Sequence, residues 1–379
     1  MPGILKDEEE QPFETIRVKQ LHPTFAAEIS GVDFENLSEE QFSDILAAMA
    51  KYGVCVFRNT GLSDEAHVSF SRRFGELDSA KRYFSNGRKP RYEHYELFDA
   101  GNVTVEPLPG SDNDQSPSAP KLRILDPKSP RAHANRGNGL FHSDSSFNPR
   151  RASFSLLRAA QIPPPDVTGG DTLFADSRTA AEELPEEILA LLVSEGESQG
   201  GTSGGGLAGA FSMAHSRKLG SPEFFADLDP GHLPMVRHQI LQRHEPSGRP
   251  NLYVGAHLHH IEEATGGVLL DHGRERQGRE VADSWALVQK LNAHATQDKY
   301  VVAVPWRDAG DLVIWDNRAV PHRAGPGAFD GKYVRDLRRT TVHDDSPTAW
   351  GLNEVGSEPC AFYTTPTVTP AAADAAIAS

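Results

Sequence analysis

The chain is 379 residues long and carries a net charge of −15 at pH 7. It is long enough for one large buried core or two smaller ones. Its acidic balance argues against nucleic acid or an anionic membrane as a general partner, because both demand basic surfaces. The two cysteines, Cys55 and Cys360, cannot make a disulfide framework, and no apolar run approaches the roughly 20 residues of a membrane-spanning helix.

In chain order, residues 1–14 are acidic, lack the apolar segment of a signal peptide and read as a disordered tail. Residues 16–32 read as strands and turns. Residues 38–52 predict an amphipathic helix: Phe42, Ile45, Leu46 and Met49 recur at helical spacing behind the cap signal Ser38-Glu39-Glu40, and Gly53 ends it. The run Val54-Cys55-Val56-Phe57 predicts a buried strand that encloses a reduced thiol. Residues 64–74 predict a second helix carrying Phe70 and Phe74 inward. Residues 110–138 are rich in Pro, Ser, Asp and Asn and read as a long loop, a candidate lid.

Residues 154–159 and 172–174 then read as strands, 178–193 as a helix and the Gly-rich 200–210 as a flexible excursion without the ending of a phosphate loop. Short strands are expected at 236–241 and 252–254, a helix at 284–295, and strands at 300–304, 311–315, 320–323 and 335–342. Residues 365–379 form a second low-complexity tail. Residues 15–364 are expected to form a single domain. Many short strands with few helices indicate a mainly β fold with peripheral helices, a sandwich or barrel. A soluble, cytoplasmic chain is the default expectation, with small molecules as partners and self-association into a homo-oligomer left open.

Sixteen histidines make a His-x-acid triplet unremarkable, and His94-x-Glu96, His260-x-Glu262 and His343-x-Asp345 are all formally eligible as metal ligands. Only His142-Ser143-Asp144 sits in a distinctive context, Gly137-Asn138-Gly139-Leu140-Phe141 before it and Ser145-Ser146-Phe147 after it. Downstream follow Gly169-Gly170-Asp171-Thr172, then Gly310-Asp311-Leu312-Val313-Ile314-Trp315-Asp316-Asn317-Arg318, then Val320-Pro321-His322-Arg323, and last Arg335-Asp336-Leu337-Arg338-Arg339. Two imidazoles and one carboxylate on one face of an octahedral iron leave the opposite positions open for a chelating co-substrate and dioxygen.

These blocks, in this order, resemble the taurine dioxygenase/2,4-dichlorophenoxyacetate dioxygenase family of Fe(II)- and 2-oxoglutarate-dependent enzymes, from about Val18 to about Asp345. The resemblance implies a double-stranded β-helix, or jelly roll, with Fe(II), 2-oxoglutarate and O2 as cofactor and co-substrates. It implies that His142, Asp144 and His322 are the iron ligands. Arg335 would pair with the distal carboxylate of 2-oxoglutarate, a role that suits a guanidinium because it binds carboxylates bidentately and stays charged when buried. Thr172 would hydrogen-bond the same co-substrate. Arg339 lies an even number of residues from Arg335, so on a strand the two share a face; in relatives it contacts 2-oxoglutarate or an anionic substrate group. Asn138 and His257 match substrate-proximal positions.

The expected reaction is hydroxylation or oxidative cleavage of a small, anionic organic molecule (aryloxyacetate-, sulfonate-, amino-acid- or xanthine-like), releasing succinate and CO2. The alternative from another class is a non-oxidative metal-binding jelly roll: an isomerase, hydrolase or binding protein. A second metal at His257, His259 and His260 is a weak reading, because strand alternation separates His260 from the other two.

Overall fold

The computed structural model describes residues 13–84, 90–105, 122–193, 206–263 and 279–359. Both tails, apart from the last residues of the first, lie outside these, as do residues 110–121 of the expected lid.

The fold is built on a seven-stranded sheet, in spatial order Arg17–Gln20, Ala27–Ser30, Val54–Phe57, Leu312–Asp316, Ala152–Gln161, Asp336–His343 and Phe98–Asp99. Its central strands are apolar on both faces because both are covered. Along Leu312–Asp316, Leu312 and Ile314 enter a core with Cys55, Phe57, Leu156 and Val342. Val313 and Trp315 enter the opposite core with Val54, Val56, Leu157, Ala159, Phe174 and Leu337. A continuous apolar run is what a strand packed on two sides requires.

Helix Glu39–Tyr52 covers the first face, inserting Phe42, Ile45, Ala48 and Met49. Its ends follow the sequence signals: Ser38 Oγ accepts from Gln41 N at 3.2 Å, and Gly53 takes the left-handed φ of 71°. Burial of Phe42, Ile45 and Met49 contributes about 1.5–3 kcal/mol each.

On the opposite face lies a three-stranded sheet, Val301–Val304, Thr172–Ala175 and His322–Ala324. A four-stranded sheet, Val236–Gln239, Leu207–Phe211, Leu258–Glu263 and Arg279–Glu280, extends the mainly β fold. Helix Ser284–Ala295 covers the residues expected to be helical, with Leu287, Val288 and Leu291 buried.

Four expectations need correction. The helix expected over 64–74 stops at Ser71 and tightens into a 3-10 turn, Arg72–Phe74. The single helix expected over 178–193 is two, Ser177–Glu182 and Glu186–Leu192. Pro185 separates them because it has no N–H for a continuous helical ladder. The Gly-rich excursion ends in the buried strand Leu207–Phe211, where glycine and alanine leave room: a Cβ on Gly209 would meet the Leu258 and Ile240 side chains at 2.6 and 2.7 Å. Finally, the described part of the long loop is ordered as strand Leu122–Ile124, helix Pro130–Asn135 and a 3-10 turn Arg136–Gly139. Helix Met213–Gly220, against which that segment packs, was not anticipated at all.

Candidate metal centre and active-site cavity

His142 and His322 are 180 positions apart in the chain but form a reciprocal backbone pair. His142 N donates to His322 O at 2.9 Å, and His322 N donates to His142 O at 2.8 Å. Directly opposed residues of an antiparallel bridge put their side chains on one face, so the rings sit with centroids 4.4 Å apart. Asp144 follows His142 by two residues and reaches the same point. One ligand atom from each of the three lies within 4.8 Å of the others, and all three residues are buried. Asp144 Oδ1 is 3.8 Å from His142 Nε2, and Oδ2 is 3.8 Å from His322 Nε2. These gaps exceed hydrogen-bond length and suit a cation bound between the three groups.

The electrostatics fit the same use. His142 Nδ1 lies 2.8 Å from the Leu140 carbonyl, which can only accept, so that nitrogen carries the proton and Nε2 presents its lone pair. Burial lowers the pKa of both imidazoles, well below 6.5 for His322, so both are neutral and able to ligate. Burial works against the Asp144 charge, but the Arg339 guanidinium, helped by the hydrogen bond from Ser155, outweighs it and holds the carboxyl at about 2. A neutral pair of imidazoles with one permanent carboxylate is the donor set of a non-haem Fe(II) centre. Gly255 backs the triad closely: a Cβ there would fall 2.9 Å from His142 Cα, and its φ of 142° is open to glycine alone.

A cavity of about 640 Å³ opens beside the triad, lined by His142 and His322 and also by Asn138, Thr172, Arg335 and Arg339. That volume suits small organic ligands. Arg335, Leu337 and Arg339 all line it, as strand alternation requires, while Arg338 points away to Asp64 and Asp336. Arg335 is 6% exposed and donates to the Gly170 carbonyl at 2.8 Å. Burial lowers the pKa of its guanidinium to about 10, which leaves it charged at neutral pH. Gly170 is fixed by that contact: its φ is +85°, and a Cβ would lie 2.8 Å from the Phe329 ring. Thr172 Oγ1 accepts from Trp306 Nε1 at 3.2 Å. Arg339 contacts Asp144 Oδ1 through Nη1. Residues 124, 125, 127, 132, 135 and 136 of the expected lid also line the cavity.

His257 is placed differently. It is not among the cavity-lining residues. It is buried behind His142, ring centroids 5.4 Å apart, with Ser146 Oγ 2.9 Å from its Nδ1. The second-metal reading fails. Among the described residues the triad is the only group of three or more His, Cys, Asp or Glu whose donors gather closely enough. His260 instead pairs with Glu262 at 2.7 Å, and Glu262 with Arg237 at 3.0 Å.

The sequence reading missed three neighbours of the triad. Ser155 Oγ donates to Asp144 Oδ2 at 2.7 Å, Asn317 Oδ1 accepts from Asp144 N at 3.0 Å, and the Trp315 ring packs 4.5 Å from His322. The signal available for them was parity: Ser155 is two positions before Leu157, and Asn317 two after Trp315, on the strand faces that turn toward the site.

Comparison with known proteins agrees with this geometry. Residues 17–341 match the model of the family described as "Taurine catabolism dioxygenase TauD, TfdA family". The chain is 32% identical over 329 residues to the alpha-ketoglutarate-dependent 2,4-dichlorophenoxyacetate dioxygenase of Burkholderia sp. (strain RASC), covering 86% of this chain and 94% of that one. It is 29% identical to the (S)-phenoxypropionate/alpha-ketoglutarate-dioxygenase of Sphingobium herbicidovorans, covering 88% and 97%. Among solved structures it resembles AAD-2 in complex with Mn(II) and N-oxalylglycine, with TM-score 0.64, 30% identity and coverage of 88% of this chain and 99% of the other.

Proposed function

This chain belongs to the TauD, TfdA family of Fe(II)- and alpha-ketoglutarate-dependent dioxygenases, and from that membership we propose that it hydroxylates or oxidatively cleaves a small, anionic organic substrate, releasing succinate and CO2. The observation that carries this is the convergence of three metal donors and two cavity arginines on one space of about 640 Å³. Aryloxyalkanoates lead the substrate classes, since the relatives named above act on phenoxy acids. Sulfonates, amino acids and xanthine-like molecules remain in the panel.

In this reading His142, Asp144 and His322 hold Fe(II), which together with 2-oxoglutarate supplies the activation of dioxygen. Arg335 takes the distal carboxylate of 2-oxoglutarate, a bidentate match made stronger by burial. Thr172 adds a hydroxyl beside it. Arg339 has one guanidinium nitrogen on Asp144 and lines the cavity with the rest, so it receives the substrate anion. Asn138 lines the cavity from an exposed position and orients the substrate. His257 stands behind His142 and supports its ring rather than touching substrate. The apolar side chains Leu157, Ile124, Leu125 and Phe329 exclude water from the reacting atoms.

The test is succinate formation from 2-oxoglutarate by protein reconstituted anaerobically with Fe(II) and then exposed to oxygen, across a panel of phenoxy acids, sulfonates, amino acids and xanthine. Succinate that rises with one class, and disappears in His142→Ala and Arg335→Ala, is the expected result. Bound iron without succinate above background for any compound would defeat the reading.

A further inference from the structure

We propose that Ser155 and Asn317 are positioning residues for the Asp144 carboxylate, acting as one oriented hydrogen-bond relay; the proposal rests on the metal-centre reading above. Asn317 decides the direction of every bond in it. Its Oδ1 lies 3.0 Å from both Asp144 N and Trp315 Nε1. Those two groups can only donate, so Oδ1 must be the oxygen. Its Nδ2 lies 3.2 Å from the Ser153 carbonyl, which can only accept, and 2.9 Å from Ser155 Oγ. The amide therefore cannot be turned over without losing three bonds. Ser155 Oγ consequently accepts from Asn317, and its own proton is directed at Asp144 Oδ2, 2.7 Å away.

The relay holds Asp144 at two points, backbone N–H and one carboxylate oxygen, from a buried, strand-paired scaffold. Ser155 is fully buried on strand Ala152–Gln161, opposite Trp315 on one side and Thr341 on the other. Asn317 and Trp315 are 1% and 0% exposed. The Trp315 ring whose N–H fixes Asn317 also packs against His322, so one unit bears on two of the three metal donors. Without the Ser155 proton, Arg339 at Oδ1 would be the only side-chain hydrogen-bond partner of the carboxylate among the described residues. Asp144 would then be free to rotate toward Arg339 and away from His322. Groups that orient metal ligands typically change metal affinity by about 10- to 100-fold when removed.

Ser155→Ala tests this by anaerobic titration with Fe(II) alone, with the melting temperature of the metal-free protein measured alongside. The expected result is about 10- to 100-fold weaker Fe(II) binding with little change in the metal-free melting temperature, and recovery of affinity in Ser155→Thr, which keeps the hydroxyl. Asn317→Asp, which replaces the donating amide by an acceptor, should weaken Fe(II) at least as much. Wild-type Fe(II) affinity in Ser155→Ala, or equal weakening in Ser155→Ala and Ser155→Thr, would overturn the assignment. His142→Ala separates the two claims: if it too binds Fe(II) as the wild type does, the metal-centre reading has failed rather than the relay alone.

Discussion

Arg318 and Arg335 are equally enclosed, each 6% exposed, but their surroundings are opposite. Arg318 grips both oxygens of Asp316, at 2.9 and 2.8 Å, and reaches Asp344 Oδ1 at 3.0 Å. Asp344 in turn binds Arg151 at 2.8 Å. Burial opposes the Arg318 charge, but the two carboxylates outweigh it and raise its pKa. Arg335 has a carbonyl partner, Gly170 O, and no carboxylate within salt-bridge distance among the described residues. For Arg335 burial dominates and the pKa falls. A protein rarely keeps a buried cation without a counter-charge unless something else supplies one. The first arginine is part of the fold's own ion network. The second, facing a cavity, is arranged for an anion that comes from outside.

Mutations should break that comparison along its seam. The largest effect on turnover comes from the metal donors: His142→Ala should lower succinate formation by about 10³-fold or more, as expected for removal of several kcal/mol of metal-centred stabilisation. Arg318→Gln should cost about 3–5 kcal/mol of stability, because Asp316 and Asp344 lose a buried partner; urea unfolding measures it, and a loss below about 1 kcal/mol would show the network to be dispensable. Arg335→Gln should do the reverse. Its folded state should be as stable as the wild type or more so, while the KM for 2-oxoglutarate rises by about 10²-fold, on the scale of truncating one partner of a buried charge pair. A destabilised Arg335→Gln with unchanged KM would make Arg335 another structural arginine.

The smallest effect concerns pH. Burial holds the pKa of His67 and His238 at about 3, each with one ring nitrogen against a carbonyl, Leu156 O and Asn148 O. In the unfolded chain they titrate near 6.5. The folded state therefore binds fewer protons below that value, so stability is complete above about pH 6.5 and declines as pH falls beneath it. Each histidine adds a slope of about 1.4 kcal/mol per pH unit. Calorimetric melting between pH 7.5 and 5 should show the decline, and His67→Gln should shallow it by one proton's share. A melting temperature independent of pH over that range would refute the assignment.

Much of the site was legible in sequence because its elements are local or periodic. His142 and Asp144 fall in one short motif, and Arg335 and Arg339 share a face through the two-residue repeat of a strand, which the structure bears out by lining one cavity with both. Helix Glu39–Tyr52 was readable from its caps and apolar spacing, and helix Ser284–Ala295 lies where a helix was expected. Helix Met213–Gly220 was not, since its stability comes from packing on the turn that carries Asn138 rather than from its own pattern. Where His257 sits was not legible for a related reason: which side of His142 it occupies is set by Ala256 N bonding Phe141 O at 2.7 Å.

The sequence by itself determined the donor types, their order and the β periodicity that puts cavity residues on one face, because ligand chemistry and side-chain alternation are properties of short segments. The tertiary structure alone decided that His142 and His322 oppose each other, that Arg335 lacks a carboxylate while Arg318 has two, and that Ser155 and Asn317 meet Asp144. Each of these depends on which strands are hydrogen-bonded neighbours. That pairing is fixed by burying two apolar faces of one sheet at once, a condition on the whole chain that no local window contains.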